Sequence, residues 1–253
     1  MIIDTPHQVW IPDLRCLWQE AFGDTEEFLD DFFTTAFHVE RCRCAVTDGK
    51  VAAVLYWFDC LHMGSRIAYV YAVATAKAYR GQGISHALME DTHRHLERLG
   101  YEGVILVPGS EALFRFYEGM GYQTCSTIRE FSCAAVTEEI LLRLIDKTEY
   151  ALLRRQMLSE GGVVQENENL DFLQTQALFY AGHGFILAAR KEGNRLVGVE
   201  LLGDERKAPA IVSALGCVQG TFRVPGEDKP FAMYRPLCDN VSAHPCYFGL
   251  AFD

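Results

Sequence analysis

Residues 67–85, IAYVYAVATAKAYRGQGIS, start as an alternating run and end in a turn that holds two glycines. From 67 to 74 the period is two, with Tyr69 and Tyr71 on one side and Ala68, Val70 and Ala72 on the other, which predicts a strand. Beyond Gly83 the spacing becomes helical: Ile84, Leu88, Thr92, Leu96 and Leu99 share one side as far as Gly100, and Arg94 and Arg98 lie near the negative end of the helix dipole. A strand that enters a helix through glycines aims main-chain N–H groups at one point. Those of a helix's first turn have no partner inside the helix, so Arg80, Gly81, Gln82, Gly83, Ile84 and Ser85 together predict an anion site. Glycine lets a phosphate come close to the main chain, and Arg80 is suited either to phosphate or to fixing the loop. Two other phosphate loops do not fit. A P-loop needs a lysine and a spacing that are missing, and a dinucleotide fingerprint needs a third glycine where His86 stands.

Upstream, Pro12 starts a helix carrying Leu14, Leu17, Trp18 and Ala21 and stopped by Gly23. Thr25 caps a second helix, with Glu26 and Glu27 in its first turn and Phe28, Leu29, Phe32, Phe33 and Ala36 along its apolar stripe. Residues 42–57, CRCAVTDGKVAAVLYW, read as a hairpin about Asp48-Gly49 in a type I′ turn. Downstream, residues 103–108 suit a short buried strand, and Ser110 caps a helix with Leu113, Phe114 and Tyr117 that closes at Gly119-Met120-Gly121-Tyr122. The expected class is α+β, a mixed central sheet with flanking helices.

The run VATAKAYRGQGIS resembles the acyl-coenzyme A motif of the GCN5-related N-acetyltransferases, the GNAT family, usually written [QR]-x-x-G-x-[GA]. Arg80, Gly83 and Ser85 occupy its defined positions; Ser85 departs from the usual glycine or alanine but is small. LVPGSEALFRFYEGMGY, residues 106–122, is similar to that family's last helix and its F-Y-x-x-x-G-[FY] ending. The resemblance covers residues 1–134 and implies acetyl-CoA as acyl donor and direct transfer to a primary amine of a small molecule or peptide. It further implies that main-chain groups of Val73, Ala74 and Thr75 hold the pantetheine arm. Residues 80–85 would hold the pyrophosphate, and Tyr117 would protonate the leaving thiolate, because a phenol keeps its proton near neutrality. Ser110 stands where many relatives carry an asparagine, but it serves equally as a cap. Tyr69 and Tyr71 are candidates for the acceptor pocket, although strand tyrosines also serve packing. No carboxylate on the strand offers a general base; water, or a terminal carboxylate as in some tandem relatives, which here would be that of Asp253, are the alternatives.

After residue 134 the pattern restarts. A long amphipathic helix is expected over 138–158, another over 172–180, and a second hairpin, GFILAARKEGNRLVGVELLG, about Gly193-Asn194. This order suggests a partial internal duplication, so residues 135–253 are expected to form a degenerate GNAT-like domain supporting the acceptor site or an oligomer such as a homodimer. Where its glycine turn would fall the copy has GDERKAPAIVSALG, in which Pro209 starts a short helix. The closing stretches FRVPGEDKPFAMYRPL and CYFGLAFD read as strands or edge segments.

Composition narrows the alternatives. A net charge of −11 argues against nucleic acid, whose phosphates select clustered Lys and Arg. No stretch is long and apolar enough for a membrane span, and no leader is read at the amino terminus, which makes the cytoplasm the expected compartment. Nine cysteines, at 16, 42, 44, 60, 125, 133, 217, 238 and 246, form no C-x-x-C pair. That spacing speaks against a metal site and for reduced thiols. Glu20, Asp24, Glu26, Glu27, Asp30 and Asp31 make an acidic run explained by helix-start acids on a solvated face; facing a pocket, they would favour a cationic amine. His86, His93 and His95 fit a solvated helix face. The rival functional class is a protein that binds acyl-CoA as a sensor or scaffold without turnover.

Overall fold

In the computed structural model, which describes residues 1–238 and 243–252, the Asp48-Gly49 turn joins two neighbouring antiparallel strands in the first of two units. Both turn residues have positive φ, 52° and 71°, as a type I′ turn requires. Met1–Gln123 and Tyr234–Ser242 form this unit; Thr124–Met233 and Ala243–Asp253 form the other. The expected boundary at 134 therefore differs from the observed grouping in two places. Residues 124–134 belong with the second unit, and the chain returns to the first at Tyr234.

The first unit runs β1 (Ile2–Asp4), α1 (Ile11–Phe22), α2 (Glu26–Thr35), β2 (Cys42–Thr47), β3 (Lys50–His62), β4 (Ser65–Thr75), α3 (Ile84–Arg98), β5 (Gly103–Leu106), α4 (Glu111–Glu118). Its strands lie in the order β1-β2-β3-β4-β5, antiparallel except for the parallel pair β4 and β5. The helix ends follow the local chemistry. Gly23 closes α1 in the left-handed region at φ 76°, and the Thr25 hydroxyl accepts from Phe28 N–H at 3.2 Å to open α2. Alternation sorts β3 and β4 between two faces. Tyr56, Phe58, Tyr69 and Tyr71 pack with Trp18 of α1 and Phe32 of α2, with ring centroids 4.6 Å apart for Trp18 and Phe32 and 5.1 Å for Phe32 and Tyr56. Trp57 points to the opposite face, where its ring lies 6.0 Å from His95 of α3.

The second unit contains β6 (Gln123–Ala134, from Thr124 on), β7 (Leu142–Ile145), α5 (Lys147–Met157), β8 (Val164–Gln165), α6 (Glu168–Gln176), β9 (Leu178–Gly182), β10 (Phe185–Glu192), β11 (Arg195–Gly203), α7 (Ala208–Ala214), β12 (Gln219–Pro225) and the start of β13 (Lys229–Pro236). Its pairings repeat those of the first. β7, β9, β10 and β11 are successively antiparallel, and β11 pairs parallel with β12 across α7, as β4 does with β5 across α3. Where the first unit has α4 after its parallel strand, residues 226–228 lead directly from β12 to β13.

Two expectations for this half fail. The helix expected over 138–158 is a strand followed by a shorter helix, because the Asp146 carboxylate accepts Glu149 N–H at 2.8 Å and caps α5 in mid-pattern. Residues 172–180 likewise split between α6 and β9. Among the described residues the closing segment makes an isolated bridge, Gly162 to Tyr247, and no strand, yet Phe248, Leu250, Ala251 and Phe252 are buried. Side chains replace a strand partner: Ser126 Oγ accepts from Phe248 N–H at 3.0 Å, and the Gln165 amide both donates to Leu250 C=O at 2.6 Å and accepts its N–H at 3.2 Å. Asp253 lies outside the described residues.

Candidate functional site

β4 and β5 pair over three positions only, Ile67 with Gly103, Ala68 with Val104 and Tyr69 with Ile105. β5 ends one residue later at Leu106, while β4 continues to Thr75. Two parallel strands thus part company and leave one side of residues 70–75 without the neighbouring strand. A bulge lies at that point. Tyr56 faces Tyr71 and Val54 faces Ala74, so β4 carries an extra residue there, and Ala72 sits at φ 50°, a conformation uncommon outside glycine. Outliers of this kind cluster at ligand sites and cost on the order of 1–3 kcal/mol. Val73, Ala74 and Thr75 follow immediately, so the three expected arm-binding residues lie where β4 pairs with β3 but no longer with β5.

The chain then turns through Lys77–Tyr79 into Arg80. Arg80 Nε donates to Thr75 C=O at 3.0 Å, so its side chain ties the turn to the end of β4 and occupies one carbonyl of that stretch. Gly81 and Gly83 adopt φ 73° and 74°, and a methyl group at either would meet no atom within 4 Å. Their requirement is conformational, since any other residue is strained there. Gly83 opens α3 with no side-chain cap on the first N–H groups of the helix. Gln82 Nε2 donates to Ala78 C=O at 3.2 Å, Ile84 is buried, and Ser85 is half-buried at the start of the helix. All six turn residues thus share one loop whose geometry suits an anion.

Tyr117 lies on α4, whose cap is the Ser110 hydroxyl accepting from Leu113 N–H at 3.4 Å. It is buried, its ring edge-on to Phe116 and to Tyr122, and its hydroxyl makes no hydrogen bond among the described residues. Burial pushes the phenol up to about 12. Tyr69 and Tyr71 both face the α1 and α2 side; Tyr69 is buried and stacks on Phe58, and Tyr71, half-buried, packs on Trp18 at 5.6 Å.

Sequence reading missed the cluster beside Tyr117. His93, expected on a solvated face, is 3% exposed: its Nε2 lies 2.7 Å from Tyr122 Oη and its Nδ1 2.8 Å from Arg235 Nη1. Arg235 also donates to the Glu90 carboxylate at 2.6 Å and to Met120 C=O at 2.9 Å. Desolvation, reinforced by the Arg235 charge, lowers His93 to about 4. Burial likewise raises Tyr122 well above the ordinary phenol value. Arg235 lies more than a hundred residues from Tyr117 in sequence, and no local pattern signals it.

The acidic run is largely satisfied within its own helices. Arg15 Nη2 bonds Glu26 and Asp30, each at 2.7 Å, and Trp18 Nε1 donates to Asp24 at 2.7 Å. Glu20 accepts from Lys77 N–H at 2.5 Å, beside the turn. Among the described residues no group of three His, Cys, Asp or Glu side chains is placed to hold a metal ion. No helix there is long and apolar enough to cross a membrane.

Residues 10–125 match the family model described as an acetyltransferase (GNAT) domain, and this stretch includes the split strand, the glycine turn and Tyr117. The first unit therefore carries a GNAT acyltransferase domain. Among solved structures, a GCN5-related N-acetyltransferase from Kribbella flavida superposes with a TM-score of 0.72 at 17% identity, over 93% of this chain and 70% of that one. Another from Anabaena variabilis ATCC 29413 gives 0.73 at 16%, over 94% and 73%. A putative acetyltransferase from Pyrococcus horikoshii gives 0.66 at 10%, over 98% and 91%. At these identities the likeness is one of fold, and it extends across both halves of this chain. No curated protein sequence matches the chain.

Proposed function

We propose that the chain moves an acetyl group from acetyl-CoA directly to a primary amine of a small molecule or peptide. The single observation that carries this is the parting of β4 and β5 beyond Tyr69 and Ile105, directly before a turn with two positive-φ glycines. Val73, Ala74 and Thr75 offer main-chain groups to the pantetheine arm as a missing strand would, and the N–H groups of residues 80–85 receive the pyrophosphate. α3 starts at this turn, and His93, nine residues on, is about 14 Å along the helix. There it meets Tyr122, against whose ring Tyr117 packs.

In the reaction the amine nitrogen bonds the thioester carbon and the C–S bond breaks. Tyr117 gives its proton to the departing sulfur, and the nitrogen loses its own to water. A phenol near 12 holds its proton at neutral pH. A main-chain N–H near 73–75 would polarise the carbonyl, an interaction worth about 3 kcal/mol in other enzymes. Among its described residues the second unit repeats the strand order without the glycine turn or a helix between β12 and β13, which supports reading it as a degenerate copy serving the acceptor site or self-association. The scattered spacing of the nine cysteines, read as reduced thiols, supports a cytoplasmic setting.

The test is thiol release from acetyl-CoA across a panel of primary amines, for wild type and Tyr117→Phe. Release by wild type and its loss in the variant support transfer with Tyr117 as acid. Tight acetyl-CoA binding with no release by any amine would establish the sensor reading instead.

A further inference from the structure

Tyr117 makes no hydrogen bond among the described residues, so its orientation depends on what it packs against, chiefly Phe116 and Tyr122. Tyr122 is in turn held by one polar contact, from His93 Nε2. The other ring nitrogen of His93 faces Arg235 Nη1, and a guanidinium only donates. Nη1 has two hydrogens for three neighbours, Nδ1, the Glu90 carboxylate and Met120 C=O, and an Nδ1 that shares them as an acceptor leaves the ring proton on Nε2, which makes the Tyr122 oxygen the acceptor in that bond. The same guanidinium nitrogen donates to Met120 C=O, in the turn that closes α4, and to Glu90 on α3. One side chain thus fastens the end of α4 to α3 and favours an unprotonated Nδ1 on the histidine between them.

We propose that Arg235 is a positioning residue for Tyr117, acting through the His93 tautomer and the Met120 carbonyl, so that the acid site of the first unit is completed only when the chain returns after the second. This rests on the reading of Tyr117 as the proton donor. The segment is anchored at further points: Leu237 N–H donates to Glu102 C=O at 2.9 Å, and the Tyr234 ring fills the space where a side chain at Gly103 would stand. The charged and titratable groups around His93 are Glu90 and Arg94 on its own helix, Arg235 from the returning segment and Tyr122 from the turn after α4. Without Arg235, nothing in this set favours an accepting Nδ1, and Glu90, 3.5 Å from Nδ1, favours a proton there.

The experiment compares full-length wild type, Arg235→Gln, Arg235→Lys, His93→Gln and Tyr117→Phe, using ¹⁵N-histidine NMR and steady-state thiol release. The wild-type spectrum should show a neutral Nε2–H His93 at pH 6, and Arg235→Gln should move that ring toward the Nδ1–H or doubly protonated form. In folded Arg235→Gln, kcat should fall about tenfold to a hundredfold, the loss expected of a misplaced group, with KM for acetyl-CoA within about twofold. Arg235→Lys, which keeps a charge but not the fork, should recover part of kcat. Adding Tyr117→Phe to Arg235→Gln should cost no more than Tyr117→Phe alone. A wild-type Nδ1–H tautomer overturns the proposal, as does an unchanged kcat in folded Arg235→Gln beside an impaired Tyr117→Phe. Full activity in Tyr117→Phe instead removes the acid reading, and the tautomer spectrum then still decides whether Arg235 sets His93.

Discussion

Acidifying the protein from pH 6.5 toward 4 should destabilise the first unit through His93, and the size of the effect follows from its surroundings. In the unfolded chain a histidine takes its proton near 6.5; in the fold desolvation and Arg235 hold His93 at about 4. Between these values the unfolded state binds the extra proton, so stability rises with pH and is lost on acidification. At 1.36 kcal/mol per pH unit the loss amounts to about 3 kcal/mol by pH 4, a large share of an ordinary domain's stability. Desolvation pushes the Glu90 carboxyl up, but Arg235 and His93 outweigh it, and the resulting low value adds a further loss in acid as pH falls through it. All three tryptophans, Trp10, Trp18 and Trp57, lie in the first unit, so their fluorescence follows its unfolding selectively. Urea midpoints measured at pH 7, 6, 5 and 4.5 should fall steadily for wild type and less steeply for His93→Gln. Parallel pH dependence in the two proteins would refute a neutral, buried His93.

Tyr117→Phe should lower kcat by about a hundredfold or more, as loss of a general acid does, without weakening donor binding; stopped-time thiol assays and calorimetry separate the two. Gly83→Val meets no steric obstacle but forces a β-branched residue into the left-handed region. It should cost about 1–2 kcal/mol in thermal or urea denaturation and weaken acetyl-CoA binding at least tenfold. Glu200 is fully buried in the second unit, where Arg154 Nε and Nη2 donate to it at 2.7 and 2.9 Å and Tyr150 and Tyr247 at 2.9 and 3.0 Å. Glu200→Gln leaves that guanidinium without its counter-charge and should cost about 3–5 kcal/mol by scanning calorimetry. Ser110→Ala removes a cap worth about 1 kcal/mol, and unchanged kcat and KM in the folded variant would confine Ser110 to that role.

Much of the first unit was legible in the sequence because its signals are local. A proline start, a glycine stop, a threonine cap and a type I′ dipeptide each act within four residues, and α1, α2 and the hairpin formed where they indicated. The turn was legible for the same reason, since two glycines between a strand and a helix leave few conformations. The same local logic failed over 138–158, where helical spacing in the apolar residues outweighed Asp146-Lys-Thr-Glu149, a capping sequence that breaks the run. His93 was misjudged because its burial depends on Arg235 and Tyr122, and a helical period cannot register a partner that arrives from distant sequence. The grouping of 124–134 with the second unit had the same cause: pairing of Phe222 with Phe131 and Gln219 with Ala134 is decided nearly ninety residues later.

The most direct test of the central claim is a calorimetric titration of the full chain with acetyl-CoA, repeated on Gly83→Val. A single saturable site per chain, strongly weakened by the substitution, is the predicted result, because among the described residues the turn with two positive-φ glycines at the end of a split strand lies in the first unit. Binding that is absent in wild type, or equally tight in Gly83→Val, would contradict it.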